Sequence, residues 1–191
     1  LHPANCCWFW GAGTKPMLSS FEEKTGKKGI MVSAVDLLKG IAVGAGMGVA
    51  EVEGANGGLH TNYEGKTQAA LHALLQDGYD FAYIHLEAPD EMGHQGSAQR
   101  KIQAIEYLDE RVVGPLRKAL DAEGVPYRLL VLPDHPTPVR VRTHTADSVP
   151  YLLYDSTMEL DKTWNYNEKE GAASGNCFPE GHKLIDHLFS R

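Results

Sequence analysis

The sequence has no apolar run approaching the roughly 18 residues that a membrane-spanning helix needs. It lacks a basic start leading into an apolar core, so no signal peptide is expected. Cysteine is scarce: Cys6, Cys7 and Cys177, with no C-x-x-C pair. That count argues against a thiolate zinc site, a redox motif or a disulfide framework, and points to buried thiols in a reducing cytoplasm. Positive charge is also short. Eighteen Lys and Arg stand against 25 Asp and Glu, a net charge of −7. A nucleic-acid binder needs a basic face, and none is legible here. No G-x-x-x-x-G-K-[ST] loop occurs, since Gly11-Ala12-Gly13 lacks the required ending. Internal repeats and low-complexity tracts are absent too.

What remains is an ordinary globular composition, 42% hydrophobic and 23% charged over 191 residues. A single domain of that size buries enough surface to fold without staples. Apolar runs predict strands over 4–10, 27–33, 49–52, 81–86, 128–132 and 149–154. Helical spacing predicts helices over 34–45, 62–76 and 98–123, and a closing helix over 179–189 that begins on Pro179. The long helix carries a stripe of Ile102, Ile105, Leu108, Val112, Leu116 and Leu120, with a kink or a break expected near Val113 because Pro115 lies inside it. Residues 155–176 read as an irregular polar excursion. Strands that are apolar throughout and alternate with helices imply an α/β three-layer sandwich with a mostly parallel sheet.

Nine histidines are present, several of them beside Asp and Pro in two segments. In an open parallel sheet, ligands bind beyond the carboxyl ends of the strands. The run 81–86 ends in Glu87-Ala-Pro-Asp90-Glu-Met-Gly-His94, and the run 128–132 ends in Pro133-Asp134-His135-Pro136, followed by Arg142-Thr-His144-Thr. Asp90 and His94 are four apart on what reads as a turn-like loop, with Gly93 permitting a tight bend. Asp134 and His135 are adjacent and could each reach a different metal of a pair. His144 follows nine residues after His135, enough for a loop that returns to the same rim. Five Asp and His donors suit Mn²⁺ or Zn²⁺, with Mg²⁺ as an alternative, and disfavour calcium or an iron–sulfur cluster. His85 reads as a core or outer-layer histidine. His60, His72, His182 and His187 read as solvated, and His2 is uninformative.

The string His85-Leu-Glu-Ala-Pro-Asp-Glu-Met-Gly-His94 resembles the metal motif of cofactor-independent phosphoglycerate mutases of the archaeal type, within the alkaline phosphatase superfamily. Leu132-Pro-Asp-His-Pro-Thr-Pro138 resembles their second motif, and Arg142-Thr-His-Thr145 followed by Val149-Pro150 their third. Ser33-Ala-Val-Asp-Leu-Leu-Lys-Gly40, Thr61-Asn-Tyr-Glu-Gly-Lys66, Trp8-Phe-Trp-Gly-Ala-Gly13 and Pro179-Glu-Gly-His182 also fit. The resemblance implies an alkaline-phosphatase-like fold and two divalent cations, Mn²⁺ first. It assigns Asp90, His94 and His144 to one metal and Asp134 and His135 to the other. A further Asp and a nucleophilic Ser would come from an N-terminal part of a longer chain. None of Ser19, Ser20, Ser33, Ser97, Ser148, Ser156, Ser174 and Ser190 stands in that nucleophile's motif, and the sequence does not begin with Met. Residues 1–191 are therefore expected to form the C-terminal portion of the catalytic domain, inactive in isolation. The implied activity is interconversion of 3-phosphoglycerate and 2-phosphoglycerate through a phosphoserine, in the cytoplasm. Lys39 is the candidate for binding substrate, with Lys66 behind it. The rivals are a homoserine-kinase-like phosphotransferase, a metal-dependent phosphatase or sulfatase, and a metal-binding fragment without activity.

Overall fold

The computed structural model describes residues 6–7, 13–159 and 163–190. The strand expected over 4–10 therefore lies outside the described residues, except for Cys6 and Cys7. These are exposed, as is Cys177, so the expectation of buried thiols fails.

Three strands form a parallel sheet in the order β2-β1-β3: β1 (Gly29–Val32), β2 (Gly48–Ala50) and β3 (Phe81–Ile84). The crossovers are α2 (Asp36–Gly44) between β1 and β2, and α3 (Tyr63–Leu75) between β2 and β3. β1 is buried at all four positions, as its unbroken apolar run requires of a central parallel strand. A preceding helix, α1 (Phe21–Thr25), was not legible in the apolar pattern. It is set by its caps: the Ser20 side chain accepts from the Glu23 N–H, and Gly26 closes it at φ 67°.

The sheet is not parallel throughout the chain. β4 (Arg128–Val131) and β5 (Leu152–Asp155) form a separate antiparallel pair. Arg128 lies directly opposite Asp155, and its Nε is 2.6 Å from the Asp155 carboxylate. The Thr157 hydroxyl and N–H, with Arg128, hold that carboxyl down at about 2.

The helix α3 starts where Asn62 caps it, its side chain accepting from the Gly65 N–H. Its buried face is Tyr63, Lys66, Thr67, Ala70, Leu71 and Ala73. Tyr63, Ala70 and Leu71 share one core cluster with Val32, Ala88, Met92, Ala104, Val112 and Leu116.

The long helix is interrupted just before Pro115 by a π-turn. It runs as α5 (Ala98–Leu108), a π-turn over Asp109–Val113, and α6 (Gly114–Glu123). Pro115 has no N–H to offer the carbonyl of Arg111 four residues before it. The Thr67 hydroxyl lies 3.1 Å from that carbonyl and 2.9 Å from the carbonyl of Tyr63. Outward, the Arg111 guanidinium makes a two-pronged contact with Glu64 and lies over the rings of Tyr63 and Tyr107. Only part of the expected stripe is core. Val112, Leu116 and Leu120 are buried, but Ile102 and Ile105 are more than half exposed, and Ala104 takes the inward position.

Three further differences concern the remaining segments. The residues after β3 form a helix, α4 (Ala88–His94), not a loop. The excursion over 155–176 contains α7 (Glu168–Ala173), capped by Asn167. The closing helix begins later than Pro179, as a 3₁₀ turn over Gly181–Lys183 leading into α8 (Leu184–Phe189).

Candidate metal centre

β3 and β4 deliver the candidate ligands at their carboxyl ends. α4 begins immediately beyond β3, with Pro at its first turn and Asp90 among the residues that follow. A helix places residues four apart on one face, so Asp90 and His94 project together. Gly93 is not the bend that the sequence suggested. It lies inside α4, where a Cβ would run into the carbonyl oxygen of Thr137. Its missing side chain lets the segment after β4 press against the helix.

That segment is held in a closed loop. The N–H groups of Val141 and Arg142 both donate to the Pro138 carbonyl at 2.9 Å, and the Thr145 N–H donates to Pro136 at 3.1 Å. The closure brings His144 back to the rim. Arg142 adopts φ 59°, the one non-glycine residue with positive φ among the described residues.

Asp90, His94 and His144 converge. Their ligand atoms lie within 4.8 Å of one another. Nε2 of His94 is 3.4 Å from Asp90 Oδ2, Nε2 of His144 is 3.4 Å from Asp90 Oδ1, and the two Nε2 atoms are 3.1 Å apart. His94 Nδ1 is 3.0 Å from the Arg142 carbonyl, which can only accept, so the proton of a neutral His94 sits on Nδ1. Nε2 then presents a lone pair toward His144 and Asp90. Two imidazole nitrogens and a carboxylate aimed at one point suit a divalent cation with nitrogen and oxygen preference. The hydrogen bond behind His94 is the outer support that metal-binding histidines carry.

Asp134 and His135 lie beside this cluster in the turn after β4. Their side chains do not diverge: Asp134 Oδ2 and His135 Nε2 are 3.4 Å apart. The His135 ring stacks on His144 with centroids 3.7 Å apart, and the centroids of His144 and His94 are 5.0 Å apart. The structure therefore brings all five Asp and His candidates to one rim.

Lys39 is elsewhere. It is on α2 with Nζ 2.8 Å from the Glu51 carboxylate, and no described contact joins it to the five. Lys66 is fully buried, and its Nζ donates to the His85 carbonyl at 3.0 Å. Burial pushes the Lys66 ammonium below the usual lysine value, with the Glu87 carboxylate opposing the shift. Burial likewise raises Glu87, which Lys66 counters. His85 is half-buried behind the five. Its Nδ1 is 3.3 Å from the Ser33 hydroxyl, and burial lowers its pKa against the opposing field of Asp134. His60, His72, His182 and His187 are exposed.

Sequence reasoning missed the supports. The Thr137 hydroxyl donates to Asp90 Oδ1 and lies 3.3 Å from His135 Nδ1. Lys101 Nζ donates to the Thr137 carbonyl at 2.7 Å, and its pKa is lowered by burial, with Asp90 and Glu168 opposing. The one available signal was Thr137 itself, a lone hydroxyl between two prolines just after an Asp-His pair.

Residues 2–177 match the model of the metalloenzyme superfamily. A probable 2,3-bisphosphoglycerate-independent phosphoglycerate mutase of Geobacter sulfurreducens is 46% identical over 190 residues, covering 99% of this chain and 47% of that protein. The 2,3-bisphosphoglycerate-independent phosphoglycerate mutase of Methanosarcina mazei is 50% identical over 169 residues, 88% of this chain and 42% of that protein. The chain thus spans about half the length of the curated relatives it matches. Among solved structures, the PH0037 protein of Pyrococcus horikoshii superposes with a TM-score of 0.80 at 31% identity, over 95% of this chain and 56% of that one. A cofactor-independent phosphoglycerate mutase of Thermoplasma acidophilum shares the fold, with a TM-score of 0.63 at 23% identity over 91% of this chain and 39% of that one.

Proposed function

The chain belongs to the metalloenzyme superfamily, and from that premise we propose that it carries the metal-binding portion of a phosphoglycerate mutase that needs no bisphosphoglycerate. The observation that carries this reading is the convergence of Asp90, His94 and His144 on one point, with Asp134 and His135 on the same rim. The relatives' names supply the substrate class, 3-phosphoglycerate and 2-phosphoglycerate. Because those relatives are about twice as long, the remaining donors and the nucleophilic Ser are assigned to an N-terminal portion of the same polypeptide.

Asp90, His94 and His144 would hold one divalent cation, and Asp134 and His135 would contribute to a second. A donor set of imidazoles and carboxylates without thiolates suits Mn²⁺ first, then Zn²⁺ or Mg²⁺. When bound, two such cations would polarise a phosphoryl group and would lower the pKa of a serine hydroxyl.

This chain's own residues set the geometry. The Arg142 carbonyl fixes the His94 tautomer. Thr137 orients Asp90. Lys66 ties down the His85 carbonyl, and with it the turn from β3 into α4. In the reaction, the Ser oxygen bonds to phosphorus as the bond to the substrate's 3-oxygen breaks. The glycerate then presents its 2-oxygen, which takes the phosphoryl group back and frees the Ser. Water must be kept out between those steps, since hydrolysis of the phosphoserine yields only phosphate. Lys39 is proposed to reach substrate, which requires it to leave Glu51. A cytoplasmic setting fits this chemistry.

Phosphorus NMR of the full-length chain with Mn²⁺ and 3-phosphoglycerate, without nucleotide, tests the reading. A 2-phosphoglycerate signal is expected. Free phosphate alone would mean a phosphatase. An unchanged spectrum followed by turnover of ATP and homoserine would mean a kinase.

A further inference from the structure

We propose that the Thr137 hydroxyl is a positioning group shared by both metal sites, so that one side chain sets ligands of each. The inference deepens the two-metal reading above and rests on it.

The geometry gives Thr137 two partners and a single arrangement. Its Oγ1 contacts Asp90 Oδ1, the carboxylate assigned to the first cation, and lies 3.3 Å from Nδ1 of His135, assigned to the second. A ligating carboxylate is ionised and only accepts, so the hydroxyl proton must go to Asp90. The remaining lone pairs on Oγ1 then accept from His135 Nδ1–H. That choice of tautomer leaves His135 Nε2 bare, on the side where Asp134 Oδ2 stands 3.4 Å away. One hydroxyl therefore aims the carboxylate of one site and frees the ligating nitrogen of the other.

The hydroxyl is also held in place. Thr137 is 3% exposed, and it lies between Pro136 and Pro138, whose rings restrict the backbone on either side. Its carbonyl accepts from Lys101 Nζ at 2.7 Å and rests against Gly93 in α4. Thr137 is thereby docked on the helix that carries Asp90 and His94, while its own chain carries Asp134, His135 and His144.

The test uses the full-length chain and Mn²⁺ alone, with affinity at each site read by calorimetry and electron paramagnetic resonance. Outer-layer substitutions of this kind weaken metal binding by roughly 10- to 100-fold. Thr137→Val keeps the shape and removes the hydroxyl, and Thr137→Ala gives a second, smaller variant in case Val does not fold. Either should weaken both sites by that factor while the thermal midpoint of the metal-free protein changes little. Thr137→Ser keeps the hydroxyl and should restore both affinities to within about threefold of wild type, the rescue expected of a hydroxyl-dependent support. Weakening at one site only, unchanged affinity at both, or no rescue by Ser overturns the proposal. Failure to isomerise phosphoglycerate, with both Mn²⁺ affinities hydroxyl-dependent, refutes the function above and leaves this inference standing.

Discussion

His94 Nδ1 lies 3.0 Å from the carbonyl oxygen of Arg142, a residue held at φ 59°. A left-handed conformation costs a non-glycine residue roughly 1–2 kcal/mol, so the surrounding loop must supply it. The two N–H bonds onto Pro138 do so. What the strain secures is a carbonyl pointed at the imidazole, and hence the tautomer that leaves Nε2 free for a cation.

Gly96 extends that relationship. It has φ 70°, and a Cβ there would meet the Arg142 guanidinium. Gly96→Ala should lower stability by about 1 kcal/mol or more, because Ala resists positive φ. It should also weaken the site formed with His94, since Arg142 must shift. Urea unfolding of the metal-free chain and Mn²⁺ titration check the two effects separately.

His94→Ala and His144→Ala should each weaken Mn²⁺ binding at the Asp90 site far more than at the Asp134 site. Protons compete with the metal for three imidazoles, so affinity at both sites should fall steeply from pH 8 to pH 5.5. Calorimetric titrations across that range read the effect, and a flat profile would exclude histidine ligation.

Thr67 and Pro115 form a testable pair. Thr67→Val removes the one hydroxyl proton shared between the carbonyls of Tyr63 and Arg111, a loss of about 1–3 kcal/mol. Pro115→Ala restores an N–H that can serve the Arg111 carbonyl. The double variant should therefore lose less than the sum of the single effects, as urea denaturation of all four chains will show.

Lys66 links stability to pH. Its folded pKa lies below the usual 10.5 because burial penalises the ammonium more than Glu87 supports it. Between the folded pKa and 10.5 the unfolded chain holds the proton and the folded chain does not, so stability rises with pH across that window. Lys66→Met should remove this rise, seen as a flatter difference in urea midpoint between pH 8 and pH 10.

The sequence by itself determined the elements whose physics is local. The apolar run 29–32 could only be a buried strand, Asn62 capped α3, and Pro115 interrupted the long helix near Val113. It also named five metal-type residues beyond two strand ends, because their motifs together resemble those of a known metal-dependent family. Tertiary structure decided the rest. The helical state of 88–94 depends on packing Ala88, Met92 and Gly93 against the core and the Thr137 segment, which no local pattern records. Ile102 and Ile105 satisfy the helical stripe yet face outward, since periodicity gives a face but not its partner. The convergence of His94 and His144 across 50 residues, and the hydroxyl of Thr137 joining Asp90 to His135, follow from how two loops close on one helix. Spacing along a chain carries no information about such distances; only the packed fold sets them.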